Sequence, residues 1–582
     1  MGEDMTGEQM RYLEGFASGI GVGRISSGLP GQAKSAPPAE PTGPDAMAMK
    51  AMAATEAAGK KLVDQEKWKR AEHPFDAWPR LRQQSEEAKY PAPQDNFRWR
   101  YFGLFYVAPA QDSYMLRLRI PNGILTAAQF EGCADIAQTY GGGCCHVTTR
   151  ANLQVREIKA RDAASVVEAV QECGLASRGA GADNIRNVTG SPTAGIDAQE
   201  LLDTRPLARS FHYHVLNDRS LYGLPRKFNV GFDGGGIVPV LEETNDIGFQ
   251  AVAVAGDGIW CRVLLGGISG HRDLAKDTGV ICRPGECTAV ADAILRVFIE
   301  NGDRTDRSKA RLKYVLDAWG FAKFIAETEK KLGRPLVRVA AEKIAPRRPF
   351  NKLAHIGVRA QKQAELNWIG VAMPVGRLSV AQMRGLAAIA RQHGDGDIRL
   401  TVWQNLLLSG ISDVATAEAA IEALGLHTKA HPIRAGLVAC TGNVGCKFAA
   451  SDTKGHALEI AAHVEARLAI DQPVNLHLTG CHHSCAQHYI GDIGLIGAKV
   501  AINDEGDTVE GYNLVVGGGF ADAPRIARPL MDNVRADDCP GVVERLLAAW
   551  LAGRNDPRES FAGFANRHDI ETLKAFASEP TP

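Results

Sequence analysis

The sequence predicts an α+β protein of several domains that is organised around an internal duplication. Its 582 residues exceed the size at which a single hydrophobic core stops growing, so more than one domain is expected. One strand–turn–helix–strand pattern occurs twice, at residues 115–158 and 368–411. Longer regions follow each copy, at about 180–335 and 430–575, and mix predicted strands with predicted helices. This mixture is typical of an α+β fold.

The two copies match at a constant offset of 253 residues, which is the distance from Pro121 to Pro374. Each copy begins with an alternating apolar strand and continues through a Pro-x-Gly turn, an amphipathic helix, a Gly turn and a second strand. Two homologous halves predict a pseudo-two-fold axis and can hold one large ligand between them. Two unrelated units of the same local type are the alternative. The matched positions are Pro121 and Pro374, Gly123 and Gly376, Gly141 and Gly394, Thr148 and Thr401, and Asn152 and Asn405.

The first 95 residues are predicted to be an N-terminal extension. Residues 33–58 are rich in Ala, Pro and Met, which is typical of a linker, and a short amphipathic helix is predicted at residues 9–16. Folded structure is expected to begin near Asn96. The predicted domains are therefore the extension at 1–95, two repeated half-domains at 96–175 and 346–428, and two larger α/β domains at 176–345 and 429–575.

Composition and charge exclude several classes of protein. The net charge is −1, so no overall positive field favours nucleic acid or an anionic membrane. No apolar run reaches the length of a membrane span. The sequence starts Met-Gly-Glu-Asp and lacks the basic and apolar regions of a secretory signal, so a cytoplasmic protein is expected.

Four of the twelve cysteines have ligand-like spacing, Cys440-x5-Cys446 and Cys481-x3-Cys485. Three explanations compete. A structural zinc site favours two to four residues between paired cysteines, so the first spacing is wide for zinc. Unrelated buried thiols are the second explanation. A four-thiolate iron–sulfur cluster is the third, and the Gly-containing turns around both pairs favour it because their backbone N–H groups can point at sulfur.

The cysteine pattern, with Thr-Gly before the second pair, resembles the cluster signature of the siroheme nitrite and sulfite reductases. Similarity to this family extends from about residue 96 to about residue 555, in family order. It implies two ferredoxin-like half-domains, a siroheme-binding domain at 176–345 and a [4Fe-4S]/siroheme domain at 429–575. The blocks that resemble the family include LRLRIPNG (116–123), VTTRANLQVR (147–156), DNIRN (183–187), LPRKFN (224–229), GDRTDRSKARLKY (302–314), LTVWQN (400–405) and LVACTG (437–442).

The resemblance also implies roles for individual residues. Guanidinium groups suit oxyanions, and a lysine can donate a proton as well as charge. Arg117 and Arg119 share one strand face by period two, and the resemblance selects Arg117. The implied cluster ligands are Cys440, Cys446, Cys481 and Cys485, with Cys485 bridging to the siroheme iron. The implied substrate-facing residues are Arg117, Arg186, Lys227 and Asn229. The implied siroheme contacts are Arg150, Gln154, Arg226 and Arg311, and a solvated helix face is the alternative for Arg311.

Asn229 bears on the substrate. Sulfite reductases of the family tend to have a second lysine at this position, and assimilatory nitrite reductases tend to have asparagine. Sulfite is a dianion and gains from the extra positive charge, whereas nitrite is a smaller monoanion. We therefore favour an assimilatory nitrite reductase, which carries out the six-electron reduction of nitrite to ammonia. An assimilatory sulfite reductase, which reduces sulfite to sulfide with the same cofactors, is the alternative.

The electron donor is expected to be a separate protein. No Gly-x-Gly-x-x-Gly motif follows a predicted strand, so the chain supplies no evident NAD(P)H or flavin domain. Ferredoxin is the family default, a flavoprotein is the alternative, and a monomer is expected. The second cysteine pair departs from the family by containing His482 and His483, which either donate hydrogen bonds near the cluster or lie on the surface.

Two other functional classes compete with a reductase. The first is an enzyme of the precorrin-3B synthase type, against which the length and the full set of basic positions argue. The second is a zinc-binding or redox scaffold without catalytic activity. An absorption spectrum distinguishes them, because siroheme has intense visible bands and a zinc scaffold is colourless.

Overall fold

The computed structural model describes residues 40–578, and those from Pro44 onward belong to one compact unit. The helix predicted at residues 9–16 lies outside the described residues. The helices are α1 (Ala46–Ala57), α2 (Asp64–Ala71), α3 (Trp78–Glu86), α4 (Pro93–Trp99), α5 (Ala127–Tyr140), α6 (Ala163–Glu172), α7 (Arg205–Asn217), α8 (Cys287–Asn301), α9 (Leu312–Leu332), α10 (Val380–His393), α11 (Val414–Ala423), α12 (Pro432–Ala435), α13 (Thr453–Glu465), α14 (Cys539–Gly553), α15 (Phe561–Arg567) and α16 (Ile570–Ser578).

The strands form four sheets. They are β1 (Leu104–Tyr106), β2 (Tyr114–Arg117), β3 (Ile124–Thr126), β4 (Cys144–Val147), β5 (Leu153–Ile158), β6 (Thr189–Gly190), β7 (Val230–Asp233), β8 (Ile247–Val254), β9 (Gly258–Leu265), β10 (Lys276–Cys282), β11 (Val337–Arg338), β12 (Gly357–Ala360), β13 (Asn367–Val371), β14 (Arg377–Ser379), β15 (Asp397–Leu400), β16 (Leu406–Ile411), β17 (Leu437–Ala439), β18 (Leu476–Thr479), β19 (Ile493–Ala501), β20 (Thr508–Val516) and β21 (Arg528–Arg535).

The two half-domains exchange one strand each. The first sheet has the order β1-β2-β5-β4-β14, and the second has the order β12-β13-β16-β15-β3. β14 belongs to the second repeat but pairs with β4, and β3 belongs to the first repeat but pairs with β15. The side chains of both sheets pack into one continuous core with α5 and α10. The two halves are therefore interlocked, and neither sheet is complete without the other.

Local structure confirms the predicted duplication. The helix after the Pro-x-Gly turn starts with a capping box in both copies, Thr126 with Gln129 and Ser379 with Gln382. Left-handed backbone also recurs at matched positions. Asn122 and Val375 have φ of 59° and 46°, and Ala151 and Gln404 have φ of 45° and 60°. These matches follow the 253-residue offset, so the pseudo-two-fold relation extends to individual turns.

Each larger domain contains a mixed sheet of the same design. One has the order β11-β10-β9-β8-β7-β6 and the other has the order β17-β18-β19-β20-β21. In both, three parallel strands (β6, β7, β8 and β17, β18, β19) are followed by antiparallel ones. Helices α7 and α13 provide crossover connections between parallel strands, as such strands require. Separate cores lie on these two sheets.

The N-terminal extension is more ordered than the sequence predicts. Residues 46–57 form α1, although residues 33–58 were predicted to be a linker, so that prediction is wrong for this stretch. Ala48 and Met52 of α1 are buried in the core of the first larger domain, two more α-helices precede Asn96, and α4 begins at Pro93. Small alanines give no amphipathic signal, but they allow close helix packing, which explains why the composition resembled that of a linker.

Among residues 40–578, no helix is both long and apolar enough to cross a membrane.

Candidate active site and metal centre

The two cysteine pairs lie at one edge of the sheet that contains β17 and β18. Cys440 follows β17 and Cys481 follows β18, and these two strands are parallel neighbours. The carboxyl ends of parallel neighbours meet at the same sheet edge, so the fold brings both cysteine loops together. The backbone N–H groups of Gly442 and Gly480 donate to the Cys440 Sγ at 3.4 and 3.2 Å. A Cβ at Gly480 would lie 2.4 Å from the Cβ of Ala449, so only glycine permits this approach.

The four thiols share one electrostatic environment. Burial raises the pKa of Cys481 to about 12, and negative charge on Cys485, Cys440 and Cys446 adds to the rise. No three of the four sulfur atoms all lie within 4.8 Å of one another. A tetrahedral zinc site with Zn–S bonds of about 2.3 Å has sulfur atoms about 3.8 Å apart. The arrangement of the four sulfur atoms therefore does not match a single tetrahedral zinc ion.

Two cations face Cys485. Burial lowers the pKa of Lys227 to about 7, as does Arg311, whereas negative charge on Cys485 opposes the shift. Burial also lowers the pKa of Arg117, and Cys485 opposes that shift as well. Arg117 ends β2, with its guanidinium carbon 4.6 Å from the ring centroid of Phe105. Arg119 is 1% exposed and donates to the backbone carbonyl of Gly179, so its role is internal.

Arg186 and Arg150 are anchored by backbone carbonyls near the same place. Arg186 donates to the carbonyls of Ala180 and Ala182 at 2.6 and 2.8 Å. Burial, followed by the positive charge of Arg117, holds the pKa of Arg186 well below its ordinary value. Arg150 donates to the Asn187 carbonyl at 2.6 Å, and burial lowers its pKa to about 9. Carbonyls orient these guanidinium groups without neutralising them.

Two buried carboxylates hold the remaining predicted cations. Asp183 accepts two hydrogen bonds from Arg307, at 2.7 and 2.8 Å, and its nearest oxygen lies 3.9 Å from Arg226. Burial alone would raise the pKa of Asp183, but Arg307 lowers it below the ordinary value. Asp246 accepts two hydrogen bonds from Arg311, at 3.1 and 2.6 Å.

The Arg311–Asp246 pair overturns one interpretation of the sequence. Arg311 is 4% exposed, so it does not belong to a solvated helix face. The Asp246 carboxylate also accepts from the backbone N–H of Asn229 at 2.8 Å. The backbone carbonyl of Asn229 in turn accepts from the N–H of Ile247. The backbone at position 229 is therefore fixed by hydrogen bonds on both sides, and Asn229 is half-buried two residues after Lys227.

The cations of this region outnumber its carboxylates. Their mutual effects on pKa show that they are neighbours. The cations are Arg100, Arg117, Arg150, Arg186, Arg226, Lys227, Arg307 and Arg311, and the carboxylates are Asp183 and Asp246. Within the described part of the chain, Arg100, Arg117, Arg150, Arg186 and Lys227 have no carboxylate oxygen within 4.0 Å. The Arg100 Nε is also buried without a hydrogen-bond partner. Arg186 is buried and the other four are half-buried, so these cations are largely removed from water and require anions, and a macrocycle that bears many carboxylates fits them.

Gln154 and the paired histidines occupy the rim of the site. Gln154 pairs with Arg117 across the β2–β5 ladder. His482 and His483 are both exposed, yet the Nδ1 of His483 lies 3.2 Å from the Cys481 Sγ. His483 therefore lies on the surface and is also within hydrogen-bonding distance of a predicted cluster ligand, so both alternatives from the sequence apply to it.

Sequence reasoning missed five charged residues of the site, one of which, Arg307, lies inside the block GDRTDRSKARLKY. Asp183 and Arg156 lie inside the blocks DNIRN and VTTRANLQVR, and the period-two pattern places Arg156 on the strand face of Gln154. Arg100 and Asp246 lie outside these blocks, and Arg311, the partner of Asp246, is 65 residues away in the sequence.

Asp246→Asn tests how strongly this charge pair supports the fold. The substitution leaves Arg311 buried and unpaired, so we expect the free energy of unfolding to fall by about 3–5 kcal/mol. Asp277→Asn is the matched control, because Asp277 bonds Arg262 in an exposed pair that should contribute about 0–1 kcal/mol. Urea denaturation of both variants measures the difference, and equal losses would contradict the assignment.

Comparison with known proteins identifies the family. The family model described as "Nitrite and sulphite reductase 4Fe-4S domain" matches residues 181–336 and 434–581. The model described as "Nitrite/Sulfite reductase ferredoxin-like half domain" matches residues 108–173 and 359–424. Each model matches twice, in agreement with the duplication.

Individual relatives cover most of the chain. "Ferredoxin--nitrite reductase" of Synechococcus elongatus is 36% identical over 471 residues, which is 79% of this chain and 90% of the relative. The chloroplastic "Ferredoxin--nitrite reductase" of Zea mays is 33% identical over 80% of this chain and 84% of the relative. The structure of the Mycobacterium tuberculosis NirA protein superposes with a TM-score of 0.82 at 27% identity, over 89% of this chain and 99% of that one. The chain therefore belongs to the nitrite and sulphite reductase family, with duplicated ferredoxin-like half domains and a 4Fe-4S domain.

Proposed function

We propose that the protein is an assimilatory nitrite reductase. In this proposal, reduced ferredoxin supplies electrons to a [4Fe-4S] cluster, and nitrite is reduced to ammonia at an adjacent siroheme. The observation that carries the proposal is a pair of half-buried cations, Arg117 and Lys227, that interact electrostatically with Cys485 and have no carboxylate partner among the described residues. The relatives are named ferredoxin–nitrite reductases, and these names support nitrite as the substrate and ferredoxin as the electron donor.

The four cysteines at the edge of β17 and β18 would bind the cluster, and Cys485 would be shared with siroheme. Siroheme fits the region because its carboxylates would balance the cations that the protein leaves unpaired. The residues that would hold it are Arg150, Gln154, Arg226 and Arg311. When bound, siroheme supplies an iron that can bind a small anion and pass electrons to it.

The substrate-facing residues would bind and protonate the anion. Arg117 and Arg186 present guanidinium groups, which attract nitrite and donate hydrogen bonds to its oxygens. Lys227 has a pKa lowered to about 7 by burial and by Arg311. An ammonium group with a pKa near neutrality can donate a proton and regain it, which suits a reduction that consumes several protons.

Asn229 supports nitrite over sulfite. Its side chain is uncharged, so the pocket has one positive charge less than a pocket with lysine at this position. Hydrogen bonds to Asp246 and from Ile247 fix the backbone of Asn229. The chain therefore does not move at this position to make up for the missing positive charge.

Turnover with reduced ferredoxin tests the proposal directly. We expect purified protein to show the visible bands of siroheme, to contain iron and sulfide, and to have a higher kcat/KM for nitrite than for sulfite. A higher kcat/KM for sulfite would show that the enzyme is a sulfite reductase. A colourless protein that retains stoichiometric zinc would overturn both assignments.

Asn229→Lys tests the role of charge in substrate choice. The added ammonium favours a dianion over a monoanion, so we expect the ratio of kcat/KM for sulfite to that for nitrite to rise about tenfold, or about 1.4 kcal/mol. Asn229→Gln is the matched control, because it changes length without changing charge and should leave the ratio nearly unaltered. A ratio that responds equally to both substitutions would exclude charge as the cause.

A further inference from the structure

Arg156 connects the first half-domain to the first cysteine loop. It lies on β5, and its side chain is 7% exposed. One terminal nitrogen donates to the backbone carbonyl of Gly445 at 3.0 Å, and the other donates to the Thr441 hydroxyl at 2.7 Å. Thr441 follows Cys440 directly, and Gly445 directly precedes Cys446. One guanidinium therefore contacts both ends of the loop between two proposed cluster ligands.

The loop is shaped to admit this guanidinium. A Cβ at Gly445 would lie 2.5 Å from a terminal nitrogen of Arg156 and 2.8 Å from a side-chain carbon of Thr441. Any other residue at position 445 would displace the arginine. The close approach thus depends on glycine beside Cys446.

The groups whose negative charge favours the protonated form of Arg156 are all thiols. Burial lowers its pKa to about 10, so it stays protonated at neutral pH, and Cys446 and Cys440 oppose the shift. Lys454, in the first turn of α13, is half-buried, donates to the Val375 carbonyl and directly follows Thr453, whose hydroxyl lies 3.5 Å from the Cys440 Sγ. Burial lowers the pKa of Lys454 to about 7, and Cys440 opposes the decrease. In the part of the chain that the structure describes, neither cation has a carboxylate oxygen within 4.0 Å. A cation removed from water needs a counter-charge. For Arg156 and Lys454, the side chains that favour the charged form are cysteines.

We propose that Arg156 is a positioning residue of the cluster, and that Arg156 and Lys454 together make the cluster easier to reduce. This inference rests on the proposed function, in which the four cysteines hold a [4Fe-4S] cluster. In the step concerned, one electron leaves reduced ferredoxin and enters the oxidised cluster, and no proton moves and no bond breaks. The reduced cluster has one more negative charge, so nearby positive charge stabilises it relative to the oxidised form. The hydrogen bonds to Thr441 and Gly445 hold the cysteine loop at the distance at which this charge acts.

Arg156→Gln removes the charge but keeps a hydrogen-bonding side chain. We expect the ratio of reduced to oxidised cluster, at a fixed ambient potential, to fall about tenfold, which equals about 59 mV for a one-electron couple. Arg156→Lys restores the charge and should restore most of the ratio. Arg377→Gln is the matched control, because Arg377 is a neighbouring but exposed cation and should leave the ratio unchanged. Redox titration followed by electron paramagnetic resonance measures the ratio, with iron content measured on each sample.

If Arg156→Gln fails to retain iron, the ratio of reduced to oxidised cluster cannot be measured in it, and Lys454→Gln then provides the test. It removes the second cation and leaves the bonds from Arg156 to the loop intact, so the ratio must fall in the same direction. An unchanged ratio in Arg156→Gln with full iron content, or in Lys454→Gln, would overturn the inference. Equal losses in Arg156→Gln and Arg156→Lys would also overturn it, because charge would not be the cause. If the wild-type protein itself lacked iron and sulfide, the proposed function would fail instead, so the two failures are distinguishable.

Discussion

The excess of positive charge on the buried and half-buried cations near Cys485 is the constraint on which the rest of the site depends. Buried cations are costly unless an anion compensates them. Asp183 and Asp246 compensate Arg307 and Arg311, whereas Arg100, Arg117, Arg150, Arg186 and Lys227 have no carboxylate oxygen within 4.0 Å among the described residues. The protein therefore provides a pocket whose charge is incomplete without bound anions. A polycarboxylate macrocycle, an anionic metal cluster and a small anionic substrate are three ligands that meet this requirement together.

The duplicated fold explains how so many cations reach one place. The first half-domain provides Arg117 and Arg156 from neighbouring strands, and the larger domains provide Lys227 and the cysteines from the ends of parallel strands. The exchange of β3 and β14 interlocks the half-domains, so these groups sit on a shared framework. Hydrogen bonds to backbone carbonyls then orient the guanidinium groups before any ligand binds, which lowers the cost of ordering them.

The sequence predicted the features that local pattern determines. The 253-residue offset gave the duplication, and the cysteine spacing with its Gly turns gave the cluster loops. Features that depend on distant partners were not predictable. The pairing of Asp246 with Arg311 and the exchange of β14 into the first sheet are set by tertiary structure. Helix α1 was missed because its small alanines give no amphipathic pattern. Its packing depends on a distant residue, Gly223, which has no side chain and so allows Ala48 to approach closely.

Thermal unfolding of protein prepared without siroheme tests the central claim most directly. The measurement compares the unfolding midpoint in sodium pyrophosphate with that in sodium chloride at equal ionic strength. We expect the siroheme-free protein to unfold several degrees higher in pyrophosphate, because a multivalent anion compensates the cations, and the siroheme-loaded protein to show little difference between the two salts. A siroheme-free protein that responds no more strongly than the loaded protein would contradict the claim that uncompensated charge defines the site.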